Sequence, residues 1–466
     1  MLLTPKKQVK LIHRTSLELN GTSADEKGCL FFLYFSSRGA VSTAAGVRLN
    51  TKLITLLAVV SCVALSPAAD ARDRVIVDAD MSFDDAATLA YLAQADRHGF
   101  LDLEAVTVSL SGAGYTGRGL SHARCLLQKL GPRGVPVSDG DTLGANPLPE
   151  AIRSYVDRVV HNAARLGETT ECPDVPTEGR AARLLAAKIR SSRRKVTLIA
   201  LGPLTNVAQA LRRRPSLARR IERVFIMGAG TTHGNLCCGA GDGTDHGQEF
   251  NFWADPAAAQ EVFTALSGRI FLTALNATDH VPITFGYYDR IGADRKTEAT
   301  ETVHQILSDP DVQGFMRQGL MYWWDPLNAA ASIVDGVVTY EPTRLSVVQD
   351  GVEAGRTVVD PRGALIRLGV TADARLFEDH FLDMLNGRLR CSGAAQDERD
   401  HDGDRDARDG VDGDRQGDAA EHMDRRLSTQ RVDARGGDRG HDRKPHRVLP
   451  RIVRFCTLRA SVLIRL

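Results

Sequence analysis

Net charge is the first thing this chain lacks. Lys and Arg number 59 and Asp and Glu 58, leaving a formal +1 at neutral pH, which excludes a nucleic-acid binder driven by bulk electrostatics. Cysteine is sparse: eight in 466 residues make no disulfide framework, and their spacing matches no zinc motif. The apolar run at residues 53–65 is too short to span a bilayer comfortably. What remains is the composition of a soluble enzyme or binding protein, with two or three domains or one large α/β domain of roughly 300 residues and tails.

The two ends differ from the middle. Residues 1–46 carry no sustained periodicity and read as a mis-assigned or disordered extension. Arg48 and Lys52, the apolar run and Ala69-Asp70-Ala71 together form a secretory signal peptide pattern over residues 47–71, ending in a small-x-small cleavage site. Translation is then expected to start near Val47 and the mature chain near Arg72, making the protein secreted or periplasmic; an uncleaved anchor is the alternative. Residues 391–466 turn rich in Asp, Arg, Gly and His with little to bury, so a disordered, mixed-charge tail is expected there. The folded unit is residues 72–390.

That unit is organised around Val75-Ile76-Val77, a strand-forming run that leads straight into Asp78, Asp80, Asp84 and Asp85 and then into the helical pattern of residues 86–92. Strand, acidic turn and helix make one βα unit of an open α/β sheet, whose ligands bind beyond the carboxyl ends of the strands. So many acids repel one another unless a cation sits among them. With no His or Cys interleaved, that cation is Ca²⁺ or Mg²⁺ rather than zinc. The plainer alternative is a solvated acidic turn at a helix N-terminus.

The alternation continues. Strands are predicted at residues 103–109, 135–138 (an edge), 196–201, 223–228 and 270–275, with helices at 121–130, at 181–190 and from Thr205-Asn206. Residues 139–180 are the least regular, a lid or insertion. The predicted fold is a single α/β domain with an open, mostly parallel Rossmann-like sheet and flanking helices. In Glu249-Phe250-Asn251 the two polar groups would share one side of an extended segment, suiting sugar hydroxyls or simply a polar strand edge. In Trp323-Trp324-Asp325-Pro326, proline at the first helical position predicts Asp325 as the N-cap, an ordinary helix entrance when taken alone.

Taken in order, these pieces resemble the inosine/uridine-preferring nucleoside hydrolases over essentially all of residues 74–390. The motif D-x-D-x-x-x-D-D stands at Asp78 to Asp85, L-G-P-L-T-N at Leu201 to Asn206, M-G-x-G…G-N…E-F-N…D-P at Met227 to Asp255-Pro256, and D-P at Asp325-Pro326. The resemblance implies hydrolysis of the N-glycosidic bond of ribonucleosides to free base and ribose. It implies one Ca²⁺ held by Asp80, Asp85, the backbone of Leu201 and Asp325, and Asp80 as the general base for a water that the ion positions. Asp84, Met227, Asn235, Glu249 and Asn251 match substrate-binding positions. Water attacks once, through an oxocarbenium-like state, with no covalent intermediate. A homo-oligomer is also expected, with no nucleic-acid partner and no membrane after signal cleavage.

Two residues depart from the family pattern. Trp324 stands where many members carry a His that protonates the departing base, and Ala113 stands where many carry an Asn. Leaving-group activation would then come from Trp323 or Trp324 stacking on the base, with the proton supplied by solvent or another residue. The loop at residues 236–248 lengthens the site, and Cys237 or Cys238 is expected to pair with Cys172. Three other readings stay open: a haloacid-dehalogenase-type phosphatase, which has no use for Glu249, Asn251 or Asp325; a secreted nucleoside- or ribose-binding protein without turnover; and a hydrolase of another N-ribosyl compound.

Overall fold

The computed structural model describes residues 72–391 except residues 147, 166–171, 174 and 237–243. The leader and the acidic-basic tail expected from the sequence lie outside the described residues, as do Cys237 and Cys238. Nine strands form one sheet: β1 (Asp73–Ala79), β2 (Leu101–Val108), β3 (Val137–Asp139), β4 (Val196–Ala200), β5 (Ile221–Met227), β6 (Ile270–Thr273), β7 (Val338–Val347), β8 (Thr357–Val359) and β9 (Ala364–Ala372). Their spatial order is β3-β2-β1-β4-β5-β6-β9-β7-β8. Pairing is parallel from β3 through to β9, and antiparallel only where β7 meets β9 and β8.

The central strands read as continuous apolar runs because both faces are covered by helices. Val75, Val77 and Ala79 of β1 feed one core and Ile76 the other, the alternation that a strand's two-residue period imposes. The order also locates a crevice. From β1 the chain winds outward to β2 and β3, then returns to the far side of β1 as β4, so strand order reverses between β1 and β4. Ligands of open α/β sheets bind at such a reversal, and the acidic turn after β1 sits there.

The structure corrects several expectations. Residues 139–180 are not irregular throughout: Glu150–Ala164 is a 15-residue helix that buries Val156, Val159, Val160 and Ala163. Their three- and four-residue spacing is that of an amphipathic helix. Cys172 is bonded to Cys125 of helix Arg118–Leu130, with Cα atoms 5.9 Å apart, and Ser121 Oγ of the same helix lies 3.2 Å from Cys172 Sγ. Among the described residues no helix is long and apolar enough to cross a membrane.

Candidate active site

Asp80 is seated by backbone. Ala113 N–H donates to its Oδ2 at 2.9 Å, and Gly114 N–H donates to its carbonyl at 2.7 Å. Two glycines permit this approach: a Cβ on Gly112 would lie 1.6 Å from Asp80 Oδ2, and one on Gly202 would lie 2.6 Å from Asp80 Cβ. The turn continues through Met81 in the left-handed region, at φ 62°. Asp85 closes it, accepting from Asp80 N–H at 3.2 Å and Ser82 N–H at 2.8 Å. Asp84 and Asp85 occupy the first turn of helix Phe83–Arg97, the end at which its dipole favours negative charge. Asp78 works behind the site, where its Oδ1 accepts from Thr107 Oγ1 at 2.6 Å and Asn206 Nδ2 at 2.9 Å.

The second wall comes from the chain after β5. Glu249 is not on an extended segment: it is the N-cap of the short helix Phe250–Ala254. Its carboxylate accepts from the N–H groups of Asn251, Phe252 and Ala229, each at 3.1 Å, because unpaired first-turn donors compete successfully for a buried carboxylate. Asn251 Nδ2 donates to the carbonyls of Leu201 at 2.7 Å and Met227 at 3.2 Å. Asn235 Oδ1 accepts from Phe250 N–H at 2.9 Å. Asp325 is not the N-cap either. Helix Trp324–Ala331 begins two residues earlier than expected, with Trp323 at the cap position, which puts Asp325 inside the first turn.

The fold gathers these residues into one place. Asp80, Asp84, Leu201, Met227, Asn235, Glu249, Asn251, Trp324 and Asp325 all line a single cavity of about 480 Å³, and Asp85 lies fully buried beneath it. Trp324 borders the cavity beside Tyr322, their rings 5.9 Å apart. Trp323 does not. It is buried against Tyr287, Phe377 and Phe381, a core aromatic that no ligand in the cavity reaches.

With this geometry in view, the pattern of the family described as inosine-uridine preferring nucleoside hydrolase matches residues 75–379. The chain belongs to that family. It is 31% identical over 217 residues to the probable uridine nucleosidase 2 of Oryza sativa, covering 46% of this chain and 59% of that one. It is 27% identical over 320 residues to a pyrimidine-specific ribonucleoside hydrolase of Escherichia coli, covering 66% of this chain and 95% of that one. The solved inosine-uridine preferring nucleoside hydrolase of Bacillus anthracis superimposes with a TM-score of 0.56 at 25% identity, over 68% of this chain and 99% of that one. By family, then, this nucleoside hydrolase is an enzyme that acts on N-glycosyl compounds.

The hydrolase's cavity floor is strongly acidic and its carboxylates are buried. Burial raises Asp84 to about 6 against the opposing hydrogen bond from Ser82, and raises Glu249 to about 7 against its three backbone donors. Asp85 and Asp325 are held well above the carboxylate range, by burial first and then by the neighbouring acids. Oxygens of Asp84, Asp85 and Asp325 lie within 4.8 Å of one another, and Asp325 Oδ1 is buried with no hydrogen-bond partner. An orphaned carboxylate oxygen in an all-oxygen cluster fits a hard cation. Asp84 joins this cluster, although the resemblance placed it on the sugar, and the Leu201 carbonyl already accepts from Asn251.

The motifs did not disclose the cavity's outer wall. Leu148, Ile152, Tyr155 and Val156 line it from helix Glu150–Ala164 and the residues before it, and Phe315 stacks on Tyr155 at 5.6 Å. The amphipathic spacing of residues 156–163 was the available signal. His233 and Asp279 also line the cavity, with Nε2 3.0 Å from Oδ2. They are 46 positions apart in sequence, so no local pattern links them.

Proposed function

We propose that this hydrolase cleaves the N-glycosidic bond of ribonucleosides to ribose and free base, with Asp80 as general base and Ca²⁺ as its cation. The observation that carries this reading is the convergence of Asp80, Glu249, Asn235 and Asn251 on the buried Asp84, Asp85 and Asp325 cluster, all within one cavity. Both relatives named above are described as acting on uridine or on pyrimidine ribonucleosides, so uridine is the first substrate to test.

Each side chain has a role set by what already occupies it. Ala113 N–H fixes one oxygen of Asp80, and the other takes the proton of the attacking water. Asn251 spends its Nδ2 on two carbonyls and offers its Oδ1 as acceptor for a ribose hydroxyl. Asn235 spends its Oδ1 on Phe250 N–H and offers its Nδ2 as donor. Glu249, locked by three N–H groups, presents fixed negative charge where the ribose ring becomes oxocarbenium-like. Asp84, Asp85 and Asp325, with Asp80 and the Leu201 carbonyl, would hold the cation, which when bound orients and acidifies water. Water oxygen bonds to the anomeric carbon as the C–N electron pair leaves with the base.

The test is ribose release from a panel of nucleosides, with Ca²⁺ and with chelator, alongside Asp80→Asn. Chelator-sensitive release that falls about 10²- to 10⁴-fold in Asp80→Asn supports the assignment. A folded protein that binds nucleosides without releasing ribose would instead be a binding protein, the reading that Trp324 and Ala113 favour. We further propose export, supported by the leader pattern and by the Cys125–Cys172 bond, which persists in oxidising compartments. Recovery of the protein only inside the cell would refute export, and an N-terminus at residue 1 on the extracellular protein would refute the start near Val47 and cleavage near Arg72. The homo-oligomer remains a proposal that sedimentation would check.

A further inference from the structure

We propose that His233, oriented by Asp279, donates the proton that lets the nucleobase leave. The inference rests on the hydrolase reading above and completes it, since Trp324 cannot serve as an acid. Among the described residues lining the cavity, His233 is the one imidazole, and no Lys or Arg joins it. Tyr322 also lines the cavity, but a phenol is a far weaker acid than an imidazolium, and two further groups are poor donors. Burial pushes the Tyr155 phenol up to about 12, and Glu249 is committed to three backbone donors.

Position agrees with the role. His233 sits two residues before Asn235, on the loop that brings Asn235 to the cavity. Its side chain is 40% exposed while Asp80, Glu249 and Asp325 are at most 3% exposed. It therefore stands toward the mouth, where a base leads out once its ribose is seated on the floor. Asp279 Oδ2 lies 3.0 Å from Nε2 and Thr232 Oγ1 lies 3.0 Å from Nδ1. A carboxylate on one ring nitrogen fixes the orientation of the ring, as in hydrolytic triads. The transferable proton is then the one on Nδ1, reached when the exposed Thr232 hydroxyl turns aside.

The step balances. The C1′–N bond breaks with its electron pair going to the base, the base takes the Nδ1 proton, and water adds to C1′ while Asp80 takes its proton. Solvent then restores the imidazolium and removes the proton from Asp80. The charged and titratable groups around His233 are Asp279, with His280 beyond it, and Asp245, which accepts from Gly234 N–H at 2.9 Å.

The test compares the unmutated full chain with His233→Ala, His233→Gln and Asp279→Asn on uridine and on p-nitrophenyl β-D-ribofuranoside, whose leaving group needs no proton. The expected result is a loss of about 10²- to 10⁴-fold in kcat on uridine, with less than about threefold on the nitrophenyl riboside, and loss of the alkaline limb of the uridine pH profile. Equal losses on both substrates would mean a structural role and overturn the proposal, as would unchanged uridine turnover. If the unmutated chain cleaves neither riboside, the hydrolase reading itself fails. If it cleaves both and the His233 variants match it, only this inference fails.

Discussion

At the scale of single residues, the site is governed by close approach and by what each polar atom already holds. Gly112→Ala would place a Cβ 1.6 Å from Asp80 Oδ2, so the carboxylate must leave its seat on Ala113 N–H. Activity should fall at least about 10²-fold while the fold persists, because a displacement of about 1 Å is enough for such a loss; wild-type ribose release from the variant would contradict this. Asp325 carries the orphaned oxygen. Asp325→Asn should abolish Ca²⁺-dependent stabilisation without lowering the melting temperature of the chelated protein, since one buried like charge has gone. Differential scanning with and without Ca²⁺ separates the two effects. Protonation has a definite sign here. Asp85 is raised by burial and by the charges of Asp80 and Asp84, and Asp325 by burial and by the charges of Asp84, Asp85 and Asp80, so a cation must displace protons to bind. Ca²⁺ affinity should therefore rise with pH, and calorimetry should record proton release; pH-independent affinity would count against this cluster as the ligand set.

At the scale of elements, helix Glu150–Ala164 matters most. It supplies the outer wall of the cavity and is tied to the floor by Arg153, whose guanidinium donates to the Ala113 and Gly114 carbonyls and lies over the Tyr115 ring at 4.6 Å. The same loop seats Asp80, so the wall and the proposed base are coupled through one side chain. Arg153→Ala should reduce kcat through Asp80 more than it reduces nucleoside binding. The Cys125–Cys172 bond closes a segment of 47 positions that contains this helix, and chain entropy gives such a closure about 4 kcal/mol. Cys125→Ser should lower the unfolding free energy by up to that amount, measured by urea titration, and an unchanged midpoint would show the reduced segment already constrained. The helix was hard to read from sequence because it stands among Gly- and Pro-punctuated loops, and its apolar spacing covers only residues 156–163. Strands β7 to β9 were missed for a different reason. They form an antiparallel edge with many exposed positions, so they lack the apolar runs that marked the buried strands.

At the scale of the whole molecule, stability and pH are linked from two directions. His380 is half-buried beside Tyr91, 3.0 Å from its hydroxyl, and its partial desolvation lowers it from 6.5 to about 4. Below pH 6.5 the unfolded chain binds a proton that the folded chain refuses, so this residue's contribution is full above 6.5 and lost as pH falls toward 4. The loss is about 3 kcal/mol at most. Glu249 and Asp84 act oppositely. Their raised values mean the folded chain holds protons that the unfolded chain releases, so without a cation they favour folding less as pH rises from about 4 to 7. Chelated protein should be most stable near the middle of this range, and His380→Phe should flatten the acid side in thermal melts from pH 4 to 7.

The sequence by itself determined the local chemistry. The apolar runs of β1, β4 and β5 declare buried parallel strands. The acids after β1, the Leu201–Asn206 turn, the spaced Met227, Asn235, Glu249 and Asn251 and the late Asp325-Pro326 suffice to identify the family, because their residue types and order along the chain can be read without knowing which groups they meet. Only the tertiary structure decided what depends on distant partners. It separated Trp323 as core from Trp324 as lining, since adjacent residues of one helix entrance point to different neighbours. It turned Glu249 from a strand residue into a cap, paired Cys172 with Cys125, and brought His233 to Asp279. Each outcome rests on contacts across the strand-order reversal or between separate loops, where packing and the satisfaction of buried polar groups, rather than local propensity, select the arrangement.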